Sequence, residues 1–244
     1  MTKKLYILGV GPGSPKYLTY IARETIIKCG YIIGYKYTLR TIETIIDRSK
    51  QKVLEVTLQN QDVVYQDVYR QMKNNESCLI PFTGDASFSE SEVVDRLLEI
   101  FGDDNVEIIP GISSIQVAAA KSKVPLDKSH ITTLHVSGDI EKKKKELSEA
   151  IRKGKSAILL PRPWTNDPSK RFMESDVAIF LRNTGINTSA LNAFVFENLT
   201  DMENETIFKG KVSELEGKEF SDLSVLVINQ AKRQTYNELT KTMK

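Results

Sequence analysis

Cysteine, histidine and tryptophan are nearly absent from this chain of 244 residues, with two, two and one of each. Cys29, Cys78, His130 and His135 are too few for a Cys-rich zinc site, and the apolar context of each cysteine favours a buried, inert thiol. No metal is expected. No apolar run approaches the ~20 residues of a membrane span, and the stretch after Lys3-Lys4 runs into glycines rather than a signal-peptide design. The chain is therefore expected in the cytoplasm and away from membranes. Charge of one sign is missing too: 34 basic against 32 acidic residues leave a net charge of +2, which gives no general reason to expect nucleic acid as a partner. The run Lys142-Lys143-Lys144-Lys145 has Glu141, Glu146 and Glu149 around it and reads as a solvated helix face.

What the chain does have is glycine where a strand would end. Leu5 to Leu8 form a short apolar run that feeds into Gly9, Gly11 and Gly13, and then into Ser14-Pro15. This reads as strand, tight loop and helix start. Ser14 supplies an N-cap oxygen, and Pro15 at the first helical position loses no hydrogen bond, because that N–H would be unpaired anyway. Leu18, Ile21, Ala22 and Cys29 then mark a packing face. Three glycines leave bare backbone that a ligand can approach, as in nucleotide sites. A phosphate loop would need Gly-Lys-Ser/Thr where this chain has Gly13-Ser14-Pro15, and a dinucleotide loop would need glycine at Ser14. Both are excluded. A Gly11→Val change is expected to block the loop while leaving the fold intact.

Further strands are expected at Tyr31 to Gly34, Val53 to Thr57, Ser77 to Phe82 and Val106 to Ile109, with helices at 38–47, 62–74 and 90–101 between them. Strand and helix alternate, which argues an α/β domain with a largely parallel sheet, and ligands in such sheets sit at the carboxyl ends of strands. The loops at 9–14 and 83–88 both occupy that position. Pro110-Gly111 breaks the chain before a helix capped by Ser113 or Ser114. The expected domains are 1–112 and 113–232, followed by a polar tail at 233–244. In the second, strands are expected at Thr132 to Val136, Ala157 to Leu160, Leu191 to Phe196, Thr206 to Phe208 and Ser224 to Ile228, with helices near 140–153 and 168–183.

Four landmarks together resemble the tetrapyrrole methylases: the run Leu5 to Pro15 with Leu18-Thr19, the loop Thr83-Gly84-Asp85, the segment Pro110-Gly111-Ile112-Ser113-Ser114, and Glu197-Asn198-Leu199-Thr200. The segments Pro110 to Gln116 and Phe196 to Thr200 are most similar to the branch that methylates C5 of cobalt-precorrin-7 in cobalamin biosynthesis. The resemblance implies two α/β domains with S-adenosylmethionine (SAM) in the cleft between them, a small-molecule tetrapyrrole as acceptor, and a homodimer. It assigns SAM contacts to Gly11, Pro12, Gly84, Asp85, Phe88, Ser113, Ser114, Leu160, Asn198 and Leu199, and no catalytic residue. None is needed for an in-line methyl displacement onto an electron-rich carbon, where positioning and water exclusion do the work. Asp85 is open to two readings, a partner for the donor's positive charge or an Asx turn capping its own loop.

The acceptor's carboxylates call for basic side chains, and Lys36, Arg40, Arg162 and Arg171 stand near strand ends or helix starts. Trp164 either stacks on the macrocycle or packs. The chain departs from the family at Ala86, where proline is common, and at Ser137-Gly138-Asp139, where His-Gly-Arg is common. A sibling methylase acting on another precorrin, on diphthine or on ribosomal RNA, or a non-catalytic SAM-binding module, would carry the same donor loops.

Overall fold

In the computed structural model, which describes residues 3–163 and 170–230, Leu5, Ile7 and Leu8 are fully buried in strand β1 (Lys4–Gly9). Each such side chain contributes about 1.5–3 kcal/mol by leaving water. The chain divides into two compact units, Met1–Val117 with Asn198–Glu205, and Ala118–Glu197 with Thr206–Lys244.

Unit 1 holds β1, β2 (Tyr31–Tyr35), β3 (Lys52–Val56), β4 (Ser77–Phe82) and β5 (Val106–Ile109) in the order β3-β2-β4-β1-β5, and every pairing is parallel. Alternate residues face opposite ways along a strand. Leu5 and Ile7 join one buried cluster with α3 (Gln61–Gln71) and α4 (Ser91–Phe101), through Tyr65, Val68, Val93 and Leu97. Leu8 and Val10 join another with α1 (Tyr20–Lys28) and α2 (Lys36–Ile42), through Ala22, Ile26 and Leu39. Helices therefore cover both faces, as the near-continuous apolar strands require. Cys29 and Cys78 are buried and free, and burial pushes the Cys29 thiol up to about 11.

The first helix starts later than the pattern suggests. Ser14 caps only a single 3-10 turn, Pro15–Tyr17, Leu18 is extended, and Thr19 Oγ1 accepts from Ala22 N (3.2 Å) to open α1. Ile21 is consequently 52% exposed, and the packing face is Ala22, Thr25, Ile26 and Cys29.

Unit 2 holds β6 (Ser129–Thr133), β7 (Ser156–Leu160), β8 (Leu191–Glu197), β9 (Thr206–Lys211) and β10 (Ser224–Gln230) in the order β6-β7-β10-β8-β9. Only β6–β7 is parallel; the other three pairings are antiparallel. The expectation of a largely parallel sheet thus holds in unit 1 and fails here, since no α-helix separates β8, β9 and β10 to return the chain to its starting edge. β6 begins three residues before the expected Thr132 because its register is set by β7, Ser129 facing Ser156 and Thr133 facing Leu160. The helices are α5 (Ser114–Ser122), which crosses the unit boundary, α6 (Glu141–Arg152) and α7 (Glu174–Asn183). Lys144 of α6 departs from a purely solvated face: it pairs with Glu141 (2.6 Å) and lies over the rings of Phe172 and Phe180.

Helix α7 was expected from 168. Among the described residues it starts only at Glu174, because Arg162 and Phe172 form an antiparallel bridge that keeps the preceding backbone extended. Trp164, the beginning of that expected helix and the polar tail lie outside the described residues. No helix among the described residues is long and apolar enough to cross a membrane.

Glu174 occupies an apolar position. With Val177, Ala178 and Leu181 it forms the i, i+3, i+4, i+7 stripe of α7, and all four are fully buried. Its carboxyl is held above the ordinary 4.5, first by burial, against which the Ser224 hydroxyl acts, and further by nearby Glu197. A carboxyl raised on folding contributes stability below 4.5 that is lost as pH rises through its raised value. Glu174→Gln removes that loss. Thermal unfolding is expected to show the variant ahead of wild type by about 1 kcal/mol or more at neutral pH, with the gap closing toward pH 4; a gap independent of pH would contradict this assignment.

Candidate functional site

Three strands of unit 1 end at or just before a glycine, and these glycines touch. Gly9 closes β1, Gly84 follows β4 and Gly111 follows β5. A Cβ on Gly9 would lie 2.5 Å from Gly111 N and 2.6 Å from Gly84 O. A Cβ on Gly111 would lie 2.6 Å from Gly9 C and closer still to Gly84 O. Only bare backbone fits. Beyond β1, Val10 N donates to Phe82 O (2.9 Å), and Gly11 and Gly84 exchange hydrogen bonds (3.2 and 2.8 Å) with φ of +82° and +74°. Gly11 is thus constrained twice, since a side chain there would also meet Tyr17 O at 3.0 Å. Gly11→Val would strain the fold itself, contrary to the expectation that it blocks the loop alone.

Asp85 ties these loops together. Its Oδ1 accepts from Ser87 N (2.7 Å), an Asx turn, and its Oδ2 accepts from Gly111 N (2.9 Å). Phe88, half-buried, returns its N–H to Asp85 O (3.1 Å). Ser113 is the N-cap of α5: its Oγ accepts from Ile115 N (3.3 Å) while Gln116 Oε1 accepts from Ser113 N (2.8 Å), a reciprocal cap that fixes Ser114 beside Gly84.

Asn198 and Leu199 join the first loop. Leu199 O and Tyr37 Oη each lie 3.0 Å from where a Cβ on Gly13 would stand, and Thr200 Oγ1 accepts from Ser14 N (2.9 Å). Asn198 and Thr200 carry positive φ, +47° and +71°. For a β-branched residue that conformation costs about 1–3 kcal/mol and is retained where the surroundings impose it. Here the surroundings are the first loop, through the Ser14 N to Thr200 Oγ1 bond and the packing of Leu199 against Gly13.

Alongside, Gly13, Ser14, Tyr37, Arg40 and Asp201 line a cavity of about 240 Å³. Burial raises the Tyr37 phenol, so it stays a neutral hydrogen-bonding group. Arg40 is paired with Glu203 at 3.6 Å, both largely exposed, an arrangement worth little in stability and easily re-formed around another carboxylate. Tyr37 and Thr200 were not singled out by the sequence as site residues; Thr200 has no local signal, since threonine favours extended backbone.

Unit 1 therefore brings together Gly11, Pro12, Gly84, Asp85, Phe88, Ser113, Ser114, Asn198 and Leu199. Leu160 belongs to unit 2, where it ends β7, is buried, and accepts from Leu134 N (2.9 Å). Of the basic candidates, Lys36 opens α2 and is exposed, while Arg162 and Arg171 belong to unit 2, the first buried and the second exposed.

The family model "Tetrapyrrole (Corrin/Porphyrin) Methylases" matches residues 4–216. A probable cobalt-precorrin-7 C(5)-methyltransferase of Methanocaldococcus jannaschii is 34% identical over 91% of this chain and 96% of its own. A cobalt-factor III methyltransferase of Priestia megaterium is 28% identical over 52% of this chain and 24% of its own. Among solved structures, the methyltransferase CobJ superposes with a TM-score of 0.74 at 16% identity, covering 96% of this chain and 98% of that one. The precorrin-6Y methylase CbiE of Archaeoglobus fulgidus gives 0.64 at 21% identity, covering 94% and 98%. The sequence match runs through the glycine-ended strands, the Gly84-Asp85 loop and the strained 198–200 segment alike, and so this chain belongs to the tetrapyrrole methylase family.

Proposed function

We propose that this protein transfers a methyl group from SAM to C5 of cobalt-precorrin-7. The observation that carries the reading is the 34% identity to the M. jannaschii enzyme over nearly the whole of both chains. SAM supplies an electrophilic methyl on a sulfonium: the acceptor carbon's electron pair forms the new C–C bond, and the C–S pair stays on sulfur. The residues fit such a ligand. Gly11 and Gly84 present backbone without side chains, Tyr37 and Thr200 add hydroxyls, and no cation is needed as a phosphate would need it. The chain's own task is to hold donor and acceptor at near-attack distance and exclude water, which is worth up to ~7–11 kcal/mol of a bimolecular barrier.

Nine of the ten proposed donor contacts lie in unit 1, and Leu160 lies in unit 2. We place the enzyme in the cytoplasm as a homodimer, on the resemblance alone. Incubation with SAM and cobalt-precorrin-7, followed by mass spectrometry, is expected to show one added methyl, and the position of a ¹³C label from the donor is expected at C5. A methyl elsewhere on the ring, or transfer only to a different precorrin, would replace this acceptor assignment; donor binding with no transfer to any tetrapyrrole would end the enzymatic reading.

A further inference from the structure

We propose that a second pocket, in unit 2 and centred on Arg162, receives a carboxylate arm of the methyl acceptor. The proposal rests on the function given above and names a specificity element of it. Arg162 is only 5% exposed, yet its Nε has no hydrogen-bond partner among the described residues. Its backbone is clamped, N–H and C=O each bonded to Phe172 at 2.9 Å, and Nη1 donates to Gly138 O at 3.0 Å. A desolvated guanidinium N–H left unpaired is costly in a folded protein. The fork of Nε and Nη2 is shaped for the two oxygens of a carboxylate.

The surroundings select such a ligand. Arg162 lines a cavity of about 170 Å³ with Arg171, Lys170 and Lys144 opposite Asp139 and Glu141. Lys144 is already committed to Glu141 (2.6 Å) and to the ring of Phe172, and Asp139 Oδ1 caps Glu141 N (3.3 Å). Glu141 is therefore paired with Lys144, and the buried Arg162 and exposed Arg171 bring two guanidinium charges to the pocket against the Asp139 carboxylate. The volume equals that of about five or six waters. A macrocycle is excluded and a carboxylate on a short aliphatic arm fits, its methylenes against Phe172 and Ile140. Precorrins carry acetate and propionate arms of this size. Inorganic phosphate shares the charge but has no use for the apolar wall.

The test uses the full chain, with KM and kcat for cobalt-precorrin-7, its equilibrium affinity read from the corrinoid absorbance, and SAM affinity by calorimetry. Arg162→Met is expected to raise KM and acceptor Kd about tenfold or more, as loss of a charge-assisted bidentate contact does, with SAM affinity within twofold of wild type. Arg162→Lys, which keeps the charge and loses the fork, is expected to fall between. Should Arg162→Met fail to fold, the exposed Arg171→Gln carries the test, with an expected rise of about threefold. Acceptor KM and Kd unchanged in a folded Arg162→Met, or in Arg171→Gln where Arg162→Met does not fold, would overturn the proposal, as would phosphate stabilising wild type but not Arg162→Met with KM unmoved, which identifies a free-anion site. Wild type that binds the acceptor through Arg162 and transfers no methyl would instead remove the function proposed above and leave the pocket standing.

Discussion

Gly111→Ala is expected to cost about 4 kcal/mol or more, a large share of the 5–15 kcal/mol that holds a typical domain folded. The new Cβ would stand 2.6 Å from Gly9 C and 2.7 Å from Gly9 Cα, and nearer still to Gly84 O. Overpacking a core usually costs about 1–3 kcal/mol because side chains turn aside. Here every atom in the way is backbone, and it is held by the Gly11–Gly84 exchange and the β1 ladders. The strands themselves would have to part. Gly138→Ala is the control: no atom of the described residues lies within 4 Å of its Cβ position, and its expected effect is within about 0.5 kcal/mol. Urea unfolding of both variants decides the matter, and equal midpoints would mean that the three strand ends are not in contact.

Asp85→Asn ranks second and separates the two readings of this residue. Both oxygens accept backbone N–H groups, from Ser87 and from Gly111. Asparagine offers one acceptor oxygen and one NH2, so one of the two N–H groups must face a donor. The expected cost is about 1–3 kcal/mol, more than an exposed turn alone would lose, because Gly111 N is partly buried. Loosening the loop should weaken SAM and its demethylated product by a similar factor. A residue that balances the sulfonium would behave differently, weakening SAM alone, since only SAM carries that charge. The geometry favours a constant affinity ratio with reduced stability, and a ratio shifted about tenfold with stability intact would make Asp85 an electrostatic contact of the donor.

The site was legible in the sequence where its signals are short-range. Gly9, Gly11 and Gly13 within five residues, and Ser113 or Ser114 as the cap of a helix after Pro110-Gly111, reflect local backbone geometry; the glycines follow β1 as expected, and Ser113 is the residue that caps α5. Misreadings arose where a distant partner decided. Ser14-Pro15 looks like the start of the long helix, yet Thr19 starts it; the Arg162–Phe172 bridge, invisible to any periodicity, delays α7 to Glu174. Glu174 left a trace, an acid on an otherwise apolar helical stripe, but its complete burial is decided by the packing of α7 into the core of unit 2.

The sequence by itself determined the alternation of strands and helices in unit 1, the bare glycine loops at the strand ends and the family, because φ/ψ preference, capping and hydrophobic period act within a few residues. Only the tertiary structure decided that Gly9, Gly84 and Gly111 share one point, that Asp85 spans 26 positions to hold Gly111, and that Thr200 accepts a strained backbone to hold Ser14, 186 positions earlier. It also decided that the second sheet is mainly antiparallel and that Arg162 is buried with a donor to spare. Contacts at such separations depend on which strands pair and in what register, and that is settled by packing the whole core rather than by any residue's neighbours in the chain.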